Sequence, residues 1–450
     1  MKGVNCMIKK IISAFIVPLC ICIAFASCSN PTLLMPVDSL LSPPLYNSQY
    51  EGLVEVFNEK TGSVATFSNP TGGDNLSAIN VTDFDGDGKE EAVILYTTSE
   101  DDTVVHMSVY DFFGDKWKFC VDFAGYGDKV TGLLFEDFNS DGYTEIMVNW
   151  NYSGINNAGS FSVYSTKSMK MTFSEVITTA CDTACVEDMD EDSLKEILYV
   201  TSGRDESAIT RNAELIKMED DEFKVLSSIP VDPNITGYVS CKAEKYDENC
   251  PMKIYLDAPK SGGMMITEIV YWDKENKTLV APLYDETQGA NTASLRYEQI
   301  NCADINNDGQ IEIPVQKDYD NNDTGSTGKF YLTDWVYFDG SKPVYYLRTF
   351  VNLKDGYFIN LGSLKYSNIY VRELGSSNWN SWIVCSPSSR SVGGNVLFTV
   401  TSVSAEKYDS KKYSSYITVM QNSDSVICVS INSKNIDSDL IKKTVMKIPS

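Results

Sequence analysis

The sequence predicts a mainly β protein: a β-propeller of four-stranded blades, followed by a small C-terminal β-rich (α+β) domain. Three observations carry that expectation. A short acidic loop that runs straight into an apolar strand occurs four times, at 83–91, 137–145, 188–196 and 304–312. Between these loops an alternating pattern broken by a polar turn recurs, at 108–119, 213–225, 270–279 and 335–344, and reads as a β-hairpin. Loop and hairpin together make a unit of about 50 residues, and self-similarity at that period belongs to a propeller rather than to one large sandwich.

Taken in order, residues 1–27 form a targeting segment. Lys2, Lys9 and Lys10 give a basic start, and the apolar run 11–26, interrupted by Pro18, ends in small residues before Cys28. A run this short is marginal for spanning a bilayer. Phe25-Ala26-Ser27-Cys28 resembles the lipobox of bacterial lipoproteins, with Phe25 at a position that is usually leucine. The resemblance implies that Cys28 is a lipid-bearing N-terminus that holds the protein on the outer face of the bacterial cell membrane. Residues 28–46, with Pro31, Pro36, Pro43 and Pro44, read as an extended tether. In 47–59, Tyr50, Leu53, Val54 and Phe57 fall at helical spacing, so a short amphipathic helix with a core-facing stripe is expected there. A strand over 64–67 is expected to complete the sheet closure, and the propeller is assigned to 47–349.

The acidic loops carry the chemistry. In the first, Asp83, Asp85, Asp87 and Glu91 stand at positions 1, 3, 5 and 9, with Gly86 and Gly88 between them. Many hard oxygen ligands on a tight loop suit calcium. The second places Asp137, Asn139, Asp141 and Glu145 at the same positions, the third Asp188, Asp190, Asp192 and Glu196, and the fourth Asp304, Asn306, Asp308 and Glu312. An EF-hand would need its glutamate at position 12 and flanking helices; here the glutamate is ninth and a β-type run follows. Asp, Asn and Gly also favour plain solvated turns, but four copies in register, each keeping the ninth-position Glu, favour a metal. First positions lie 54, 51 and 116 residues apart, so a worn copy is expected inside the long gap. Residues 243–256 supply it, with Tyr246, Asp247, Glu248 and Asn249 before the strand 252–256, but without the full ligand set.

Over 77–350 the units resemble FG-GAP or VCBS-type repeats, the blades of integrin-α-like propellers. That resemblance rests on the ion loops and the strand rhythm. It implies structural Ca2+ bound between the first two strands of a blade. Asp83, Asp85, Asp87 and Glu91 would ligate through side chains and Lys89 through its carbonyl. The matching carbonyl positions are Tyr143, Leu194 and Gln310. In the third copy Ser193 replaces a glycine, and a positive φ there costs about 1 kcal/mol.

In 350–450 the acidic loops stop. Strands are expected at 356–361, 368–374, 382–385, 396–403, 416–420 and 426–431, with a helix or strand at 438–446. Their order resembles small α+β modules that follow propellers in bacterial lipoproteins; a pair of last blades is the other reading.

Acidic residues number 62 against 37 Lys and Arg, a net charge of −25, which argues against nucleic acid as a partner. His106, the single histidine, lies in the alternating run 104–110 and is expected to be a packed or surface residue. One His excludes histidine-based hydrolysis and His-rich zinc sites. Of twelve cysteines, eight lie beyond Cys28 and none forms a C-x-x-C pair. Cys181/Cys185 and Cys241/Cys250 are close enough to bridge locally, but mostly free, buried thiols are expected.

The function these features suggest is a lipid-anchored surface protein whose calcium-stabilised propeller is a scaffold for an extracellular protein or glycan. The alternatives are a lyase-like enzyme acting on extracellular polysaccharide and an envelope-complex assembly partner. Tyrosines number 26, but none sits in a catalytic motif, and no catalytic residue is nominated. Trp379 and Trp382, beside Asn378 and Asn380, have the composition of a sugar-stacking pair, although core packing is their default place.

Overall fold

The computed structural model describes residues 48–449, apart from 63–64, 154–158, 168–172, 206–207, 318–330, 341, 367–368, 377–378 and 388–393. The targeting segment, Cys28, the tether and the side chains of Tyr50, Trp379 and Asn380 lie outside the described residues, as does Asn378. The chain divides into two compact units, Met1–Lys60 and Thr61–Ser450. In the first, the helix Ser48–Thr61 buries Leu53 and Phe57, one turn apart, while Glu55 and Glu59 are exposed. No helix of the described residues is long and apolar enough to cross a membrane.

The second unit is mainly β: among the described residues, six antiparallel sheets of four or five strands follow one another along the chain. The first comprises Ala65–Phe67, Ile79–Thr82, Glu91–Thr98, His106–Phe113 and Lys116–Ala124. Its strand Glu91–Thr98 is buried almost throughout, as are Glu145–Asn151 in the second sheet and Lys253–Pro259 in the fourth. A strand covered on both faces needs a continuous apolar run rather than alternation, and this is why the segment after each acidic loop is apolar.

Side-chain alternation then assigns each face to a neighbouring sheet. Ile146, Val148 and Trp150 pack with Val93 and Leu95 of the first sheet, while Met147 packs with Ile197 and Tyr199 of the third. Leu198 and Val200 pack with Ile254 and Leu256 of the fourth, and Tyr255 with Ile313 of the fifth and Ile311 just before it. Consecutive sheets are therefore stacked face to face, from the first to the fifth.

The hairpins fall where the alternating patterns placed them. His106–Phe113 joins Lys116–Ala124 through Gly114 and Asp115, at φ 57° and 66°. Ala208–Glu219 joins Glu222–Pro230 through Asp220 and Asp221, at φ 53° and 64°. Two consecutive positive φ values match the right-handed twist of the strands they connect.

The 349/350 boundary expected from the sequence falls inside a strand, Pro343–Asn352. The fifth sheet continues through Tyr357–Asn360 and takes in the terminal strand Val445–Lys447. The segment 438–446, read as helix or strand, is both: Asp437 caps the helix Ser438–Thr444, which leads into that strand. The sixth sheet, from Tyr370–Ser376 to Ser425–Ile431, shares one core with the fifth, where Phe350, Tyr357 and Ile359 meet Val371, Val384, Phe398 and Val429. Trp382 belongs to that core, its ring 4.4 Å from Phe350.

The cysteine pairing differs from the local bridges considered. Cys185 is bonded to Cys241. They lie on the opening strands of the third and fourth sheets, Thr183–Glu187 and Ser240–Glu244. Stacking of successive sheets brings equivalent strands together, which proximity in sequence does not reveal. Cys120, Cys181, Cys250, Cys302, Cys385 and Cys428 remain thiols.

Candidate metal centre

The first three acidic loops each close the turn between two paired strands of a sheet, and the fourth is closed by an isolated bridge just before the strand Ile313–Lys317; the register sets the length of each. Thr82 faces Glu91, Glu136 faces Glu145, Glu187 faces Glu196, and Ala303 bridges to Glu312. The ninth-position glutamate is thus the first residue of a strand in three copies and directly precedes the strand Ile313–Lys317 in the fourth, and it is itself buried in all four.

The backbone of the four loops is the same. Positions 4 and 6 take positive φ: Gly86 and Gly88, Ser140 and Gly142, Glu191 and Ser193, Asn307 and Gly309. Ser193 adopts φ 77°, the left-handed conformation that its glycine counterparts take without a Cβ penalty. Position 2 is an apolar plug: Phe84, Phe138, Met189 and Ile305 are buried. That anchor was not singled out from sequence, although an apolar residue between two acids in every copy marks it.

A ladder of side-chain acceptors holds each loop. The position-1 carboxylate accepts from the position-6 N–H, at 3.0 Å from Gly88, 2.9 Å from Gly142, 3.1 Å from Ser193 and 2.8 Å from Gly309. The position-3 side chain accepts from the position-5 N–H. Position 5 accepts from the N–H of position 7, which is Lys89, Tyr143, Leu194 or Gln310. Finally, Oε2 of the ninth-position Glu accepts from the position-2 N–H, at 2.8 Å for Glu91, 3.2 Å for Glu145, 2.9 Å for Glu196 and 3.0 Å for Glu312.

The ladder gathers carboxylates faster than it neutralises them. One oxygen each of Asp83, Asp85 and Glu91 lies within 4.8 Å of the other two, and Asp188, Asp190 and Glu196 show the same convergence. Oxygens about 2.4 Å from a shared calcium can be no farther apart than about that distance, so the residues fit the ion. In the second and fourth loops position 3 is asparagine, whose amide donates to the position-5 carboxylate at 3.2 Å and 2.8 Å. Burial, reinforced by the neighbouring aspartates, pushes Glu91, Glu145 and Glu312 up to about 7 and raises Glu196 as well. A cation placed among them reverses that preference.

Lysines meet the loops differently. Lys89 folds onto its own Asp87 at 2.9 Å in solvent, and that hydrogen bond lowers the Asp87 carboxyl. Exposed Lys167 touches Asp141 at 3.0 Å and Asp221 at 2.6 Å. Lys217 lies inside the third loop, against Asp190, Asp192 and Glu196. The residue across the strand pair from the ninth-position Glu also varies: Asp111 faces Glu91, Ser165 bonds Glu145 Oε1 at 3.4 Å, and Lys217 reaches Glu196 Oε1 at 2.8 Å.

At the fourth sheet the nine-residue spacing persists without the full set of acids. Glu244 faces Lys253, and the intervening residues place Lys245, Asp247 and Asn249 at positions 1, 3 and 5. Away from the loops, His106 is a structural residue: its Nδ1 lies 3.1 Å from Asp122 and its ring stacks on Tyr96. A cavity of about 400 Å³ opens among Asn149, Asn151, Cys181, Thr183, Tyr238 and Ser240, where the second, third and fourth sheets approach.

No protein-family model matches the chain, and no curated protein matches it. Among solved structures, Sqt1 of Saccharomyces cerevisiae aligns with a TM-score of 0.30 and 10% identity, covering 68% of this chain and 89% of that one. A likeness that slight carries neither fold nor function.

Proposed function

We propose that this chain is a calcium-stabilised, propeller-like scaffold, lipid-anchored through Cys28 on the outer face of a bacterial membrane, which presents an interaction surface to an extracellular protein or glycan. The observation that carries the calcium part is the repeated nine-residue ladder, in which a buried glutamate is tied to the position-2 N–H; in the first and third loops it converges with two aspartates on one point. The face-to-face stacking of successive four-stranded sheets supports a blade-like arrangement.

In this reading Asp83, Asp85, Asp87 and Glu91 of the first loop hold a calcium ion. So do Asp137, Asn139, Asp141 and Glu145 of the second, and Asp304, Asn306, Asp308 and Glu312 of the fourth. The ion's role is structural: it ties a turn to the buried strand that the turn launches. At about 1 mM calcium and an affinity of about 0.1–1 mM, each site adds roughly 0.4–1.4 kcal/mol. Several such contributions matter against marginal domain stability.

The test is thermal unfolding of the full chain in millimolar calcium and in EGTA. The midpoint is expected to fall on chelation and to recover when calcium, but not an equal concentration of sodium, is returned. An unchanged midpoint and hydrodynamic radius would sink the calcium role. The scaffold part is tested separately, by binding of the calcium-loaded chain to an array of extracellular glycans and envelope proteins. Release of unsaturated sugar ends in that array would replace scaffold with lyase.

A further inference from the structure

The third loop keeps all four acids, yet its cation position is filled from within. Lys217 lies on the strand Ala208–Glu219, one step beyond the Ile197–Ile216 pair, and so faces Glu196. Its side chain is 9% exposed, and its Nζ lies 2.7 Å from Asp190 Oδ2, 2.7 Å from Asp192 Oδ2 and 2.8 Å from Glu196 Oε1. The loop's own backbone has already taken the partner oxygens: Asp190 Oδ1 and Asp192 Oδ1 accept from the N–H groups of Asp192 and Leu194, and Glu196 Oε2 from that of Met189. The oxygens that this ladder leaves free on Asp190, Asp192 and Glu196 are the three that Lys217 faces.

We infer that the Lys217 ammonium is the permanent cation of the third loop, which therefore takes no calcium, and that the residue facing the ninth-position glutamate decides how each loop is neutralised. An ion bound by Asp190 and Glu196 at calcium distances would have to occupy the space of the ammonium that now touches both. A buried ammonium that donates to Asp190 and Asp192 and forms an ion pair with Glu196 is balanced by three carboxylates. The first loop is the opposite case. There the facing residue is Asp111, which brings a further carboxylate toward Asp85, Asp87 and Glu91. Lys167, at the second loop, is exposed and touches only Asp141 of the ligand set, so it leaves that loop open.

This inference rests on the calcium reading proposed above, and the experiment separates the two. Calcium ions bound per full-length chain are counted by isothermal titration calorimetry and equilibrium dialysis, for wild type and for Lys217→Met. The variant is expected to bind one more ion than wild type. Its unfolding midpoint should drop in EGTA and be restored by millimolar calcium. If wild type binds calcium but Lys217→Met gains no ion and no rescue, the lysine assignment is overturned while the calcium reading stands. If neither protein binds calcium, both fall. Should Lys217→Met not fold, Asp190→Asn decides: an unchanged ion count supports the lysine as occupant, and the loss of one ion overturns it.

Discussion

The first acidic loop and the junction between Glu244 and Lys253 occupy the same place in two sheets and solve the same electrostatic problem in opposite ways. Both span nine positions between facing residues, and both bury a carboxylate at the turn, Glu91 at the start of the second strand and Glu244 at the end of the first. At the first loop Glu91 stands among Asp83 and Asp85, and in the proposed reading an ion from solution balances their charge. At the fourth sheet a lysine takes the glutamate's place. Lys253 Nζ meets Glu244 Oε1 at 2.9 Å, both side chains at most 3% exposed. Tyr255 OH and the Ile311 N–H donate to the same carboxylate. The turn geometry thus survives loss of the ligand set because the strand register fixes it, whereas the source of the positive charge is free to change.

The largest expected effect comes from breaking the internal solution. Lys253→Met leaves Glu244 buried without its cation, which costs about 3–5 kcal/mol. Urea unfolding should show that loss equally in calcium and in EGTA. A loss confined to one buffer would mean that the junction shares the loops' dependence on an ion, and the contrast would collapse.

Next in size is the covalent link between the third loop and the junction. Cys185 precedes the third loop and Cys241 precedes the junction, 56 residues apart in sequence. Closing a loop of that length removes about 4 kcal/mol of unfolded-state entropy in the chain-entropy model. The Cys185→Ser/Cys241→Ser double variant is expected to lose about 2–4 kcal/mol. Mass spectrometry of unreduced tryptic peptides checks that these two cysteines, and not the 181/185 or 241/250 pairs, are joined.

Glu268 shows a third solution, a proton. It is fully buried, with Oε1 accepting from the Asp232 N–H and Oε2 from Asn291 Nδ2. Lys260 is engaged by Asp232 at 2.6 Å, and Tyr238 and Tyr284 are the other titratable groups near it. Burial, with the Asp232 charge, pushes the Glu268 carboxyl from 4.5 up to about 7. Between those values the native state holds a proton that the unfolded chain has released, so stability falls as pH rises from about 4.5 to 7 and levels above that. Unfolding midpoints in EGTA across that range are expected to fall less steeply for Glu268→Gln than for wild type. Parallel curves would remove Glu268 from the account.

What the sequence made legible follows from locality. The loops could be read because position-1, position-3, position-5 and position-9 acids lie within nine residues, and the buried strands because their apolar runs are contiguous. The hairpins announced themselves through turns such as Gly114-Asp115, where both residues take positive φ. What could not be read is set by partners far along the chain. Lys217 reaches the third loop from 21 positions beyond Glu196, through a strand register that composition does not display. The Cys185–Cys241 bond and the fully buried Arg296–Asp257 pair, at 2.8 Å, depend on which sheets and loops stack. Trp382 takes the core place that was its default, against Phe350, a partner 32 positions away that the sequence does not name. The 349/350 boundary failed for the same reason, since Tyr357–Asn360 and Val445–Lys447 are strands of the sheet begun before it.

The smallest expected effect is the most discriminating. Asp85→Asn in the first loop keeps an oxygen that can accept the Asp87 N–H, as Asn139 and Asn306 do for Asp141 and Asp308 in the second and fourth loops. The turn should therefore fold as before, and in EGTA the variant should match wild type or gain slightly, because one charge is removed from a crowded set. In millimolar calcium the same change weakens the ion's hold, and the difference from wild type should be about 1 kcal/mol or less. That sign reversal between buffers cannot arise from lost packing, which would cost the same in both. Nor can it arise at the junction, where Lys253→Met removes a partner that no added ion replaces. A uniform loss for Asp85→Asn would place the first loop with the junction, as a turn whose acids serve only its own backbone.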